Sequence, residues 1–383
     1  MSKRPTVLLG AVLLTASLVI ASCSSSGTSA GSESQAGSQS ETTADTSSTA
    51  PTATDAPAES SSQESSAETS TSEGESAGEG PLRVKPVDKN LDGKRIALLS
   101  FANNPYWDPV QAGSKAANDA LKAHGATVDY IVAGPNLEVP AVISAIEGAV
   151  TQGYDAIGVV SLTQGTCPAI KAAVDQGVAV ATFIIEGACS EKSGSLFYYG
   201  MNNYAAGQAA ADAMVKAIGD DGQVAVITGS YGAESQEDRR HGFEDRMKKS
   251  HPGIKIVGTT ENKDDAGTAL SQANDFMTAY PDLKGIYLTA GGPFGAAQAV
   301  EQAGKADQVK LVSYDLVPET LAFVKKGIIA ATIGGDAFGD SYNTAMLLFN
   351  YLADGSKPAK YFQQEPFGIV TPENVDKVLG AQG

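Results

Sequence analysis

The sequence predicts an α/β protein of two lobes, each a parallel sheet covered by helices, with a crevice between them. Three observations carry this. Short apolar runs rich in Val, Ile and Ala alternate with helical stretches along residues 95–370, the rhythm of βαβ crossovers. The alternation occupies most of residues 81–383, enough chain for two cores of roughly 100–200 residues each. The residues before Pro81 share none of that rhythm and differ sharply in composition.

The first set opens with a strand over 95–100 and a helix near 109–124. Strands over 127–132, 156–160 and 178–183 follow, with helices near 139–152 and 168–176 between them. The second set begins with a strand over 196–199 and a helix near 204–218. It continues through strands over 223–228, 254–260, 285–288, 309–314 and 330–333. Their helices lie near 235–250, 266–279, 294–303 and 319–325. A long helix over 341–353 and a short strand over 368–370 close the chain. The stretch after the first strand, Asn104-Pro105-Tyr106-Trp107, is the organising one. Pro105 favours a turn or helix start, and the loop lies where open parallel sheets bind ligands. An amide beside flat apolar faces suits a small polyhydroxylated molecule; the plainer alternative is aromatics packed between helix and sheet.

The start of the chain reads differently. Lys3 and Arg4 precede an apolar run over 7–21, too short to span a bilayer and suited to an export signal over 1–22. Ile20-Ala21-Ser22-Cys23 resembles the lipobox of bacterial lipoproteins. That resemblance implies cleavage before Cys23 and anchoring to the lipid bilayer through it. Residues 24–80 hold ten acidic residues, no Lys or Arg and no aromatic ring. Such a chain cannot offset its ordering entropy, so residues 23–80 read as a disordered Ser/Thr/Glu-rich tether. Its length favours the outer face of the cell membrane of a Gram-positive bacterium. The whole chain carries a net charge of −17, and residues 81–383 about −9. Nothing basic is clustered, so no nucleic-acid partner is expected.

Beyond Cys23 the cysteines are Cys167 and Cys189. An even number in an exported domain, in loops after neighbouring strands, makes a disulfide the expectation; two free thiols are the alternative. No GxxxxGK[ST], GxGxxG or HExxH motif occurs, and no usable GxSxG. The three histidines read as cap or surface residues. No enzyme, cofactor or metal site is expected.

A set of ordered pieces carries a family likeness. They are Asn104-Pro105-Tyr106-Trp107, Gly153-Tyr154-Asp155-Ala156-Ile157, Ala169-Ile170-Lys171-Ala172-Ala173 and Asn203-Tyr204-Ala205-Ala206-Gly207. Further on come Arg239-Arg240-His241-Gly242-Phe243, His251-Pro252-Gly253-Ile254, Ser313-Tyr314-Asp315, Ala331-Thr332-Ile333 and Thr371-Pro372-Glu373-Asn374-Val375. Over about 90–383 the chain resembles the periplasmic sugar-binding proteins of the ribose and galactose type. The resemblance implies the type I periplasmic-binding-protein fold: two Rossmann-like lobes joined by a three-stranded hinge. The lobes would be 90–183 with 335–366, and 187–333 with 367–383. It implies a monosaccharide, polyol or small sugar derivative captured by lobe closure, an ABC permease as partner, and a monomer. A receptor for a sugar-like or autoinducer signal is the runner-up. LacI-type repressors share the fold, but a lipid signal stands here where their helix-turn-helix would be.

The resemblance places ligand contacts at Asn104, Tyr106, Trp107, Asp315 and Arg239, with Gln236 and Glu237 eligible in place of Arg239 if the loop shifts. The chain departs from the family elsewhere. Ser161-Leu162-Thr163-Gln164 stands where an aspartate is usual. Thr182-Phe183-Ile184 replaces Thr-Phe-Asp, with Ile185 and Glu186 next. Asparagine and glutamine positions fall on Thr289 and Gly335, beside Asp336. Thr163, Gln164, Glu186, Thr289 and Asp336 are therefore expected to complete the pocket.

Overall fold

A computed structural model describes residues 83–382. The expected signal segment, Cys23 and the tether lie outside them. The first elements are β1 (Arg95–Ser100), α1 (Trp107–Leu121), β2 (Thr127–Val132), α2 (Val139–Thr151), β3 (Ala156–Val159), α3 (Cys167–Asp175), β4 (Ala179–Phe183) and β5 (Tyr198–Met201). Next come α4 (Asn203–Ile218), β6 (Gly222–Thr228), α5 (Glu234–Ser250), β7 (Ile254–Glu261), α6 (Ala266–Ala279), β8 (Leu283–Leu288) and α7 (Pro293–Gln302). The chain ends with β9 (Lys310–Tyr314), α8 (Pro318–Lys325), β10 (Ile329–Gly334), α9 (Ala337–Asp354), β11 (Phe362–Glu365), β12 (Gly368–Val370) and α10 (Val375–Gln382).

Two six-stranded sheets result, ordered β11-β5-β4-β3-β1-β2 and β12-β10-β9-β8-β6-β7. Every pairing in the first is parallel. In the second only the β10–β12 pair is antiparallel. The central strands β1, β3 and β4 are apolar on both faces and buried almost throughout, as strands covered by helices must be.

The chain passes between the sheets three times: after Met201, after Gly334 and after Glu365. The first passage corrects the expected boundary at 187. The run near 196–199 does not open the second sheet. Leu196 donates its N–H to Val180 O, and Tyr198 stands opposite Thr182 in the first sheet. A strand's own residues specify burial but not its partner, and here a tight loop after β4 returns the chain alongside it. β11 is a further departure. Its Phe-Gln-Gln-Glu has little strand character, yet it completes the edge beside β5.

Residues 83–89 lie along α9. Val84 and Val87 donate backbone N–H bonds to the Asn343 and Asn350 side chains, at 2.9 and 2.8 Å. Asn350 in turn donates to Lys85 O, and Lys89 Nζ donates to Ala353 O. Arg83 pairs with Asp336, and its guanidinium sits 4.8 Å above the Phe338 ring. α9 packs on α1 through Gly113, where a Cβ would stand 2.0 Å from Phe338 O. Only glycine permits that approach. No helix among the described residues is long and apolar enough to cross a membrane.

Candidate functional site

Loops at the carboxyl ends of both sheets converge on one set of cavities. From the first sheet comes the turn after β1. Asn104 Oδ1 accepts the Tyr106 N–H at 2.9 Å, and Asn104 O accepts that of Trp107 at 3.2 Å. This asparagine turn launches α1 and leaves Tyr106 on the wall of the crevice. Trp107 is only 4% exposed. It packs against Phe101 and meets the Tyr106 ring edge-on, with centroids 5.5 and 5.2 Å apart. Tyr106 thus faces the gap, and Trp107 supports it from behind.

Ile184, just after β4, also lines the gap. Its φ of 64° is an outlier for a β-branched residue. Tyr198 Oη donates to its carbonyl at 3.0 Å, and its own N–H reaches Tyr199 O. These bonds hold the strained turn.

The second sheet supplies the charge. Ser235, Gln236 and Arg239 share a face of the first turns of α5. Gln236 Nε2 donates to both carboxylate oxygens of Asp264 at 3.3 Å. The Gly291 N–H donates to Asp264 Oδ1 at 3.0 Å. Arg239 donates from Nε to Asn203 Oδ1 at 2.8 Å and from Nη1 to Thr289 O at 3.0 Å. Its guanidinium lies 4.1 Å from the centre of the Tyr314 ring. Asp315 follows β9 at a φ of 77°. Burial pushes its carboxyl up to about 6; the Arg239 charge opposes that shift and Asp264 adds to it. Burial also raises Asp264, against the bonds from Gly291 and Gln236.

Three cavities adjoin these groups. One of about 160 Å³ lies between Asn103–Tyr106 and the Asp264, Gly291 and Asp315 loops. One of about 40 Å³ sits between Tyr106, Trp107 and Ile184 on one side and Gln236, Arg239 and Asp315 on the other. A chamber of about 800 Å³ extends towards the interlobe crossings, and Tyr106, Ile184, Arg239 and Asp315 line it too. The gap is narrow: Asn104 Nδ2 is 3.1 Å from where a Cβ of Gly291 would sit.

Of the residues expected from the sequence, Asn104, Tyr106, Trp107, Gln236, Arg239 and Asp315 meet here. Four do not line any of these three cavities. Thr163 caps a short turn by accepting the Gly165 N–H. Gln164 is exposed beside the disulfide. Glu186 accepts a bond from Tyr361 Oη, and burial raises its carboxyl to about 7. Thr289 is fully buried against Thr228, 3.0 Å away. Asp336 reaches only the large chamber. It caps α9 by accepting the Gly339 N–H and pairs with Arg83. Asp264 escaped the sequence reading because it sits in a polar run, Glu261-Asn262-Lys263-Asp264-Asp265, that looks like a solvated loop. Asp340 and Glu365 escaped because nothing in a helix or a poor strand marks an inward carboxyl.

Cys167 and Cys189 are bridged, as expected, with their Cα atoms 6.0 Å apart. The bridge joins the loops after β3 and β4, and those loops grip α5 of the other lobe. Gln164 and Ala188 each donate a backbone N–H to the Glu234 carboxylate, at 3.0 and 2.6 Å. The Glu234 N–H donates to Leu162 O at 3.2 Å. Glu234 is thus a clasp across the crevice.

The model of the periplasmic binding protein domain matches residues 96–357. The chain belongs to the periplasmic binding protein family. Within it, the chain is of the ribose and galactose sugar-binding type, as its ordered motifs led one to expect. It is 27% identical over 243 residues to the D-allose-binding periplasmic protein of Escherichia coli (strain K12), covering 62% of this chain and 77% of that protein. It is 27% identical over 250 residues to a D-ribose/D-allose-binding protein of Pseudomonas aeruginosa, with 62% and 76% covered. Among solved structures, a glucose-galactose binding protein from Geobacillus stearothermophilus superposes with a TM-score of 0.67 at 26% identity. That match covers 74% of this chain and 99% of that one. A Burkholderia graminis solute-binding protein in complex with D-arabinose gives 0.68 at 26%, covering 75% and 98%. In this periplasmic binding protein, as in the family fold, two lobes of mostly parallel sheet face each other across the crevice.

Proposed function

We propose that this periplasmic binding protein is the extracytoplasmic solute-binding lipoprotein of an ABC importer. Its solute is a monosaccharide, polyol or small sugar derivative. The reading rests above all on Asp315, a carboxyl bordering all three cavities at the crevice. Asn104 and Tyr106 come to the same gap from the other lobe. Ionised carboxylates accept hydroxyl donors more strongly than neutral groups do. Asn104 offers both an acceptor and donors, and Tyr106 a flat face for C–H groups. Capture needs no covalent step. A solute bound between lobes favours the closed arrangement by its differential contacts there, and a permease reads that arrangement. Cys23 carries the anchor in this reading, at the outer face of a Gram-positive cell membrane, and the protein acts as a monomer.

Calorimetry with D-ribose, D-allose, D-galactose and L-arabinose tests the reading. At least one should bind, and Asp315→Ala should weaken that binding by about tenfold or more. Absence of binding to any sugar or polyol, or unchanged affinity in the variant, overturns it. Cys23→Ser should release the protein from the membrane fraction.

A further inference from the structure

The large chamber is more acidic than a neutral guest requires. Asp315, Asp340 and Glu365 line it, and among the described residues Arg239 is the one Lys or Arg on its wall. Arg239 already serves Asn203, Thr289 O and the Tyr314 ring. Asp336, also on the wall, is paired with Arg83. Among the described residues no ion pair reaches Asp315, Asp340 or Glu365. Asp340 is 2% exposed, and its Oδ1 has no hydrogen-bond partner among the described residues. Glu365, 4% exposed, accepts the Asp336 N–H at 3.1 Å and is hydrogen-bonded to the Asp340 carboxyl, so one proton serves the pair. Burial and the neighbouring Glu365 push the Asp340 carboxyl well above the usual range.

Two carboxyls buried together keep a proton between them, and a ligand that brings both donors and an opposing charge can take that proton's place. Hydroxyls bring donors but no charge. A protonated amine brings both, with three N–H donors at once. A metal ion suits the site less well: among the described residues no three His, Cys, Asp or Glu side chains are grouped so as to hold one. The chamber, about 800 Å³ against about 160 Å³ for the cavity beside it, also has room for a substituent beyond a single sugar ring.

We infer that the solute carries a protonated amino group and that the chamber receives it, with Asp340 and Glu365 as acceptors. The inference rests on the sugar-capture reading and narrows it to amino-substituted sugars or polyols.

The experiment is calorimetry at pH 7 on three matched pairs: D-glucose and D-glucosamine, D-galactose and D-galactosamine, D-mannose and D-mannosamine, with the uncharged N-acetyl form of each amine. In at least one pair the amine should bind tighter by about tenfold or more, and its N-acetyl form should lose the gain. Asp340→Asn should cut the amine's advantage to under about threefold. Glu365→Gln carries the same ratio test should the first variant melt before binding can be read. A neutral sugar binding as tightly as its amine in every pair overturns this inference and leaves sugar capture standing. An advantage that survives both substitutions overturns the assignment to the chamber. Binding of no member of any pair overturns this inference alone, and sugar capture then stands or falls on the ribose, allose, galactose and arabinose titrations.

Discussion

At the scale of single residues, the acidic crevice makes stability respond to pH. The Asp315 carboxyl is raised from 3.8 to about 6 in the folded protein. The folded state therefore holds this proton more tightly than the unfolded chain does. That contribution is fully present below about pH 4 and is lost as pH rises through 6. In ligand-free protein, Asp315→Asn should flatten the dependence of melting temperature on pH between 4 and 6; an unchanged slope would show that the carboxyl is not held up in the fold. Glu186, raised to about 7 by burial, acts in the same direction over a window reaching higher. Glu186→Gln should flatten the slope between pH 5 and 7. The family resemblance pointed to Asp315 and Arg239, and both stand on the crevice wall. It misassigned Thr289 and Glu186, since a side chain's direction at a loop depends on one or two dihedrals that no motif records. Ile184 is the sharpest case. Its position in the crevice rests on a backbone conformation its own type disfavours.

At the scale of elements, the disulfide and the Glu234 clasp act as one device. The bridge closes a loop with a sequence separation of 22, worth about 3 kcal/mol in the chain-entropy view. Urea unfolding of a Cys167→Ser/Cys189→Ser variant should show a loss of that order. Glu234→Ala removes the acceptor of the two backbone donors. It should raise the rate of ligand release about threefold to tenfold without altering which sugars bind. Packing of α1 on α9 is equally exacting. Gly113→Val should cost about 3 kcal/mol, read by the same unfolding titration, because Phe338 O leaves no room for a side chain. The βαβ rhythm made these helices and most strands legible. The membership of β5 and the existence of β11 were not, because pairing partners distant in sequence decide both.

At the scale of the whole molecule, the lobes are joined by three crossings, each one or two residues long between flanking elements. Such short links permit hinge motion and little else. Solution scattering should give a smaller radius of gyration with a saturating sugar than without; identical curves would leave capture by closure without support. The twofold architecture was readable from the count of βαβ units and the length of chain. The depth and acidity of the chamber were not, since Asp340 and Glu365 stand 25 residues apart on a helix and a strand that only the third dimension unites.

The stitching of residues 83–89 onto α9 has a mechanical consequence. Its bonds to Asp336, Asn343, Asn350 and Ala353 follow the helix in register from one end to the other. A pull on residue 83 therefore loads them together, in shear, and not one by one like a zip. The strain passes into a rod bedded in the first lobe's core, and the gap where the guest sits is spared the tug.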